Sequence, residues 1–152
     1  EITRLVFVES MFTLEAKSKA GAAGPWQFMR STGRRFLKIN RDIDERLDPI
    51  HSTRGAARLL KKNYALLRTW PLAINAYNSG EKRLLKAVRQ LGTTDIATII
   101  KKFQDRGYQF ASRNFYPEFL AALEVANHST QYFGTLDRHQ PLGTREAMVE
   151  TP

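Results

Sequence analysis

Apolar residues recur every three or four positions along most of this chain, which is the period of an α-helix. The clearest case follows Asp48 and Pro49, residue types that suit the N-cap and the first position of a helix. The apolar side of this predicted helix holds Ala56, Ala57, Leu60, Tyr64 and Leu67, and its basic side holds Arg54, Arg58, Lys61, Lys62 and Arg68. No β-type alternation of useful length occurs, so the pattern predicts an all-α protein.

Further segments share the helical spacing: they are 2–12, 26–38, 71–80, 81–91, 94–105 and 115–127. Pro71 suits the first position of its helix, and Gly80 suits the C′ position that ends it. Small residues over 13–25 and charged residues over 41–49 predict loops. We expect a single domain over residues 1–133 and a loosely structured tail over 134–152.

The composition suits one folded domain and excludes several kinds of site. The chain has 152 residues, of which 42% are hydrophobic, and it has no cysteine, so disulfides, thiolate metal sites and thiol nucleophiles are ruled out. His51, His128 and His139 lack the spacing of metal ligands, and we interpret them as surface or capping residues. No metal or other cofactor is expected, and no apolar run approaches the length of a membrane span.

The chain is strongly basic, with a formal net charge of +9. Residues 134–152 carry more acidic than basic groups, so the positive charge lies in the predicted domain. Such a surface favours a polyanionic partner, which could be nucleic acid, an anionic membrane or an acidic polysaccharide.

Glu9 is the first candidate for chemistry. At helical spacing it shares a face with Ile2, Leu5 and Phe12, where desolvation would raise the pKa of its carboxyl. A carboxylic acid that is protonated near neutral pH can act as a general acid on a glycosidic bond. The ordinary alternative is a glutamate that reaches solvent or pairs with an arginine. Phe7 and Met11, on the same segment, are expected to be core residues.

The sequence GAAGPWQFM at 21–29 is the second candidate. Its small residues allow a ligand to approach the backbone, its aromatic residues could stack on a sugar ring, and Gln27 could bind acetamido groups. No Gly-Lys-Ser/Thr follows, so it is not a P-loop. The alternative, equally favoured by composition, is a loop that leads to a tryptophan anchored in the core.

The sequence AINAYNSG at 73–80 is the third candidate. Tyr77 and Asn78 fall in the last turn of a predicted helix, where side chains can face a cleft. The alternative is an ordinary helix end with Asn and Gly.

Glu9-Ser10, GPWQFM at 24–29 and AYNSG at 76–80, taken together and in this order, resemble the catalytic domain of the soluble lytic transglycosylases, glycoside hydrolase family 23. The similarity is greatest to the membrane-bound lytic transglycosylase D branch and covers roughly residues 1–128. DERLDPIHSTRGAARLLKKNY at 44–64 also resembles that branch. The resemblance implies a lysozyme-like fold and cleavage of the β-1,4 bond between N-acetylmuramic acid and N-acetylglucosamine in peptidoglycan, with a 1,6-anhydro product.

The resemblance also implies roles for individual residues. Glu9 corresponds to the single catalytic glutamate, which acts first as an acid and then as a base, and Ser10 to a serine that supports the loop or the acid. Tyr77 corresponds to the tyrosine that orients the acid. The remaining matches are sugar-binding or cleft positions: Ser18, Gln27, Met29, Asn78 and, near a fourth motif with Phe115, Tyr116.

Two pairs of residues depart from the family pattern. Thr13-Leu14 replaces a common Asn-Pro, which we expect to change loop shape only. Ala111-Ser112 replaces a common Glu-Thr pair, which leaves the substrate preference open.

Two other functions compete with the transglycosylase. A hydrolytic lysozyme on the same fold would need a second carboxylate, for which the candidates are Glu15, Asp42, Asp44, Glu45 and Asp48. A binding module without catalysis could attach to the cell wall or, through the basic face of 54–68, to nucleic acid. We rank nucleic acid last because it leaves the three motifs unexplained.

We therefore expect a monomeric peptidoglycan enzyme whose partner is the glycan strand and not nucleic acid. The resemblance implies that the protein acts outside the cytoplasm, in the periplasm, at the outer membrane or after secretion. Because the chain begins at Glu1 and not at Met, an export signal or a segment that associates with the wall or outer membrane could lie upstream.

Overall fold

The computed structural model describes residues 1–137, and within them the regular structure is helical. A short 3₁₀ helix, Ile2–Arg4, precedes the α-helices, which are α1 (Leu5–Ser10), α2 (Arg30–Gly33), α3 (Pro49–Leu67), α4 (Trp70–Ser79), α5 (Glu81–Leu91), α6 (Ile96–Lys102), α7 (Phe110–Asn127) and α8 (Ser129–Phe133). The described residues form no β-strand, and their only strand-like pairings are isolated bridges. The all-α prediction is confirmed. Most of the predicted tail 134–152, including His139, lies outside the described residues.

The ends of α3 and α4 follow the predicted signals. The Asp48 side chain accepts a hydrogen bond from the His51 amide at 2.6 Å, and Pro49 occupies the first turn of α3. Helix α4 begins one residue before Pro71 and ends at Gly80, whose φ of 84° suits glycine. His51 and His128 both lie at helix ends, as expected.

The helix predicted over 2–12 ends earlier than expected, at Ser10. The prediction of which of its residues belong to the core is corrected accordingly. Met11 and Phe12 have φ values of 50° and 62°, so the backbone turns away after Ser10. Phe7 and Met11 are 39% and 76% exposed, and the prediction that both belong to the core was wrong. They line an apolar groove beside α7. Phe12 is exposed too and does not share the buried face of Glu9.

Other boundaries differ for local reasons. Within 26–38 the helix is a single turn, α2. Helix α6 covers only part of 94–105, because the Asp95 side chain caps its start and Phe103 is already extended. Helix α7 begins at Phe110, five residues before the predicted start, and it contains Pro117 in its interior.

The core consists of two hydrophobic clusters that share α4. The first cluster gathers α1, the loop after it, α3 and α7, and it includes Leu5, Phe28, Leu60, Ile74 and Phe115. The second packs α4 against α5 and α6, and it includes Leu72, Ala76, Leu84, Ile99 and Tyr108. Since α4 contributes to both clusters, this helix lies where they meet.

The long segment between α1 and α3 is held by a buried arginine. Arg46, 7% exposed, donates hydrogen bonds to the carbonyl oxygens of Gly21 at 3.0 Å and Phe28 at 3.1 Å. Its guanidinium also bonds both carboxylate oxygens of Asp44, and this contact lowers the pKa of Asp44. Gly24 packs so closely that a Cβ there would lie 1.7 Å from the Arg46 carbonyl oxygen. One side chain thus fixes the loop that borders the site described next.

No helix in the described part of the chain is long and apolar enough to cross a membrane.

Candidate functional site

A cleft of about 420 Å³ lies where the end of α1, the loop after it, and the junction of α4 with α5 come together. Its lining includes most of the site residues expected from the sequence: Glu9, Ser18, Gln27, Met29, Tyr77 and Asn78. The motifs are separated in sequence by up to about half the chain, and the fold brings them to one concavity. The cleft is the candidate active site.

Glu9 occupies the last turn of α1, where it is partly buried. Leu5 and Val6, earlier in the same helix, are buried in the core and hold α1 in place. Its carboxyl has no hydrogen-bond or ion-pair partner among residues 1–137, so nothing compensates for lost hydration. Burial accordingly raises the pKa of Glu9 from 4.5 to about 8.

Tyr77 projects from the last turn of α4 beside Glu9. Its hydroxyl donates a hydrogen bond of 2.9 Å to the carbonyl oxygen of Trp26, and its ring centroid lies 6.0 Å from that of Phe28. Burial, and secondly the negative charge of Glu9, raise the pKa of Tyr77, so the hydroxyl stays protonated. The tyrosine therefore joins α4 to the loop wall while bordering the carboxyl.

Trp26 belongs to the core and not to the cleft lining. The residue is 4% exposed, and its indole nitrogen donates to the Thr53 hydroxyl at 2.8 Å. Of the two interpretations left open for this loop, the core-anchored tryptophan is the one observed for Trp26. Phe28, in contrast, lines the cleft.

Several of the expected site residues form hydrogen bonds with the loop that follows α1. Ser10 donates to the carbonyl oxygen of Pro25 at 2.8 Å and does not line the cleft. The Gln27 amide nitrogen donates to the carbonyl oxygens of Gly24 at 2.8 Å and Ala16 at 3.2 Å, and the Ser18 hydroxyl accepts from the backbone of the loop. These contacts shape the wall of the cleft.

Helix α7 reaches the site through Ser112. Its hydroxyl donates a hydrogen bond of 2.9 Å to Oδ1 of Asn78, which lines the cleft. Tyr116, one turn further along α7, stacks against Phe119 at 6.2 Å and packs on the first core cluster. Tyr116, like Ser10, does not line the cleft, so the structure separates these two from the expected site residues that do.

Sequence reasoning missed Thr32, Arg35 and Glu81, which also line the cleft. Lys62 forms an ion pair with Glu81 at 2.6 Å, and Arg35 lies 3.9 Å from the same oxygen. The hydrogen bond from Lys62 lowers the pKa of Glu81. The signal for Glu81 was its position next to the AYNSG motif, whereas nothing in the sequence distinguishes Arg35 from the other arginines.

The carboxylates proposed for a hydrolytic lysozyme are not in the cleft lining; they are Glu15, Asp42, Asp44, Glu45 and Asp48. Part of the basic face of α3 is occupied by internal contacts, because Arg58 donates to the carbonyl oxygen of Phe36 and Lys62 pairs with Glu81. Over residues 1–137, no group of three or more His, Asp or Glu side chains could hold a metal ion.

Comparison with known proteins adds independent information. The family model described as the transglycosylase SLT domain matches residues 1–100. The chain is 34% identical over 134 residues to the membrane-bound lytic murein transglycosylase D of Escherichia coli strain K12 and, to the same extent, to that of Escherichia coli O6:H1 strain CFT073. Each alignment covers 87% of this chain and 29% of the relative, so the chain spans under a third of the length of these curated relatives.

Proposed function

This chain belongs to the transglycosylase SLT domain family, and we therefore propose that it is the catalytic part of a peptidoglycan lytic transglycosylase. Its all-α fold is the lysozyme-like fold of that family. The proposed reaction cleaves the β-1,4 bond between N-acetylmuramic acid and N-acetylglucosamine and forms a 1,6-anhydro end. The observation that carries the proposal is a carboxyl, Glu9, that lies in the cleft with a pKa raised by burial to about 8.

In the first step Glu9 acts as a general acid. With a pKa of about 8, protonated molecules outnumber ionised ones about ten to one at pH 7. The acid donates its proton to the glycosidic oxygen as the bond to C1 of the muramoyl residue breaks and positive charge develops at C1. The acetamido carbonyl of the substrate itself can stabilise this charge, so a second enzyme carboxylate is not required.

In the second step Glu9 acts as a base. Its carboxylate takes the proton of the C6 hydroxyl of the same sugar, and the oxygen attacks C1 to close the 1,6-anhydro ring. The proton lost in the first step is thereby regained, and no water is consumed. Positioning of the C6 hydroxyl by the cleft would favour this attack over that of water.

The remaining cleft residues serve binding and orientation in this proposal. Tyr77 lines the cleft beside Glu9 and, held by its hydrogen bond to the Trp26 carbonyl oxygen, orients the acid. Ser10 holds the loop through Pro25. The residues proposed to contact the sugars are Ser18, Gln27, Met29 and Asn78, all of which line the cleft. Tyr116 contributes from α7 by supporting the first core cluster near the cleft.

A hydrolytic lysozyme is the alternative function, and the presence of a second carboxylate, Glu81, in the cleft favours it. This side chain lines the same cleft as Glu9, and its lowered pKa keeps it ionised, as a base for water would need to be. However, its carboxylate is paired with Lys62 at 2.6 Å, which reduces its basicity. We therefore favour the single-carboxylate mechanism.

The proposed setting follows from the substrate. Peptidoglycan lies outside the cytoplasm, so we propose an exported protein that acts in the periplasm, at the outer membrane or after secretion. We further propose a monomer that engages glycan strands without a metal or other cofactor and does not engage nucleic acid. The net charge of +9 suits attraction to the carboxylates of stem peptides and wall polymers.

Mass spectrometry of the products from purified peptidoglycan tests the reaction. We expect muropeptides that are lighter by one water than reducing-end sugars, and we expect Glu9→Gln to abolish their formation, because the near-isosteric amide carries no transferable proton. General acid catalysis contributes about 10²–10⁴-fold, so the loss should be at least 100-fold. Glu118→Gln, which neutralises an exposed carboxylate on α7, is the matched control.

Other products would contradict the proposal in distinct ways. Reducing-end sugars would identify a hydrolase and direct attention to Glu81. Equal activity in the Glu9→Gln variant would exclude Glu9 as the acid. The absence of any product from peptidoglycan that the chain binds would refute the enzyme and leave a binding module.

A further inference from the structure

Arg35 brings to the cleft a positive charge that the proposed mechanism does not use. Among the described residues that line the cleft it is the only arginine or lysine, and the acidic residues there are Glu9 and Glu81. Because burial raises the pKa of Glu9 to about 8, this carboxyl is mostly uncharged at neutral pH. The charge of the lining therefore depends on Arg35 and Glu81.

Glu81 is already paired with another cation. Nζ of Lys62, which does not line the cleft, lies 2.6 Å from Oε1 of Glu81. A guanidinium nitrogen of Arg35 lies 3.9 Å from the same oxygen, which is too far for a hydrogen bond. Two cations thus share one carboxylate, and the cluster retains one positive charge that can attract an anion.

The guanidinium of Arg35 keeps its hydrogen-bond donors. It lies over the ring of Phe36, with 5.6 Å between its central carbon and the ring centroid. Its N–H groups form no hydrogen bond within residues 1–137, and the side chain is 48% exposed. An arginine carries five N–H donors in a planar fork that fits both oxygens of a carboxylate. This side chain is therefore suited to hold a carboxylate of a ligand in the cleft.

Thr32 adds a second polar group next to Arg35. The Arg35 amide donates a hydrogen bond of 3.2 Å to the carbonyl oxygen of Thr32, so one tight turn joins the two residues, and both line the cleft. The Thr32 hydroxyl has no hydrogen-bond partner within the described residues. A hydroxyl can donate to a carboxylate oxygen, so the turn offers this ligand a second donor.

We propose that Arg35, assisted by Thr32, forms a carboxylate-binding subsite of the cleft, and that its ligand is the acidic substituent of the muramoyl residue. The sugar rings of peptidoglycan offer uncharged hydroxyl and acetamido groups. The carboxylates lie on the lactyl group of muramic acid or, where a stem peptide is attached to that group, on the peptide. Arg35 would then determine how strongly the cleft responds to the charge of this substituent. This inference rests on the proposed function.

Titration calorimetry on the Glu9→Gln variant tests the inference without turnover. The ligands are a neutral chitin tetrasaccharide, a tetrasaccharide of alternating N-acetylglucosamine and N-acetylmuramic acid without peptides, and the same tetrasaccharide with stem peptides. We expect Arg35→Gln to weaken one or both muramic acid ligands about tenfold, because a charge-assisted hydrogen bond is lost, and to change the neutral ligand less than about threefold. The ligand that responds distinguishes the lactyl carboxylate from those of the peptide.

A matched control separates the subsite from general surface charge. Arg34→Gln removes the same charge at the adjacent position, which is exposed and does not line the cleft, and we expect it to leave all three affinities unchanged. Thr32→Val should weaken the responding ligand about threefold through the loss of one neutral hydrogen bond, and an unchanged affinity would overturn the part assigned to Thr32.

Three results would overturn the inference as a whole. These are no change in Arg35→Gln, an equal loss for all three ligands, and an equal loss in Arg34→Gln. The second would indicate that Arg35 only supports the structure, and the third that any surface cation has the same effect. Failure of the parent variant to bind any of the three tetrasaccharides would instead count against the glycan function.

Discussion

Replacing Glu9 by glutamine should stabilise the protein, and by an amount that depends on pH. In the unfolded chain this carboxyl ionises near its ordinary pKa of 4.5, whereas in the folded protein its pKa is about 8. Between these values the folded state keeps a proton that the unfolded state has lost. Ionisation therefore favours unfolding, and the free energy of unfolding falls as the pH rises through this range. Glutamine does not ionise and escapes this loss.

The size of the effect follows from the pKa values. At pH 7 the protein is 2.5 pH units above the unfolded pKa of 4.5 and still below the folded pKa of about 8. Each unit corresponds to about 1.36 kcal/mol, so the wild-type carboxyl costs about 3 kcal/mol at pH 7 relative to acid conditions. We expect Glu9→Gln to be more stable by about this amount at pH 7 and by little at pH 4.

Urea denaturation followed by tryptophan fluorescence would measure the difference at pH 4, 7 and 8.5. Glu118→Gln serves as the control for loss of an exposed carboxylate. A stability difference that is the same at pH 4 and pH 7 would mean that Glu9 is solvated and would refute the desolvated acid. The same variant should lack turnover. A gain in stability combined with a loss of activity would show that the catalytic carboxyl lowers the free energy of unfolding.

Further outcomes are expected at neighbouring sites. Activity should decline tenfold per pH unit above about pH 8, as Glu9 loses its proton; a profile that stays flat to pH 9.5 would oppose its role as the acid. Tyr77→Phe removes the bond of 2.9 Å to the Trp26 carbonyl and should lower kcat about tenfold in a muropeptide-release assay, whereas unchanged kcat would exclude an orienting role. Gly24→Ala places a Cβ 1.7 Å from the Arg46 carbonyl oxygen and should cost more than about 3 kcal/mol in urea denaturation. Gly92→Ala, with a positive φ but open space, should cost only about 1–2 kcal/mol, so equal losses would show that strain in φ and not the close approach dominates.

Helical periodicity and turn chemistry predicted the scaffold because these signals are local. Pro49, Asp48 and Gly80 act within one helical turn, and the helices they delimit appear where expected. The end of α1 could not be predicted in this way. Met11 and Phe12 adopt left-handed conformations, which neither of these residue types favours. Their exposure, like that of Phe7, depends on where the chain turns.

The candidate site was predictable through its motifs but not through its neighbours in space. Glu9, Gln27 and Tyr77 stand in recognisable sequences, and the cleft contains all three. Arg35 follows α2 by two residues and lines the cleft, but no motif marks this position in the sequence. Ser112 contacts Asn78 through the crossing of α7 with α4, a contact over 34 positions of sequence. Such contacts arise from tertiary packing, and the residues next to each partner in the sequence give no signal of them.

The pairing of Arg46 with Asp44 has a consequence for how acidity and alkalinity act on this molecule. Arg46 remains charged at any pH compatible with folding, and its contact lowers the pKa of Asp44. The clamp on the loop therefore stays ionised throughout the interval in which Glu9 titrates. The Arg46–Asp44 pair therefore does not change its charge where Glu9 does, so mild alkali would switch off the acid while leaving this clamp on the cleft wall in place, and the inhibition would be reversible on neutralisation.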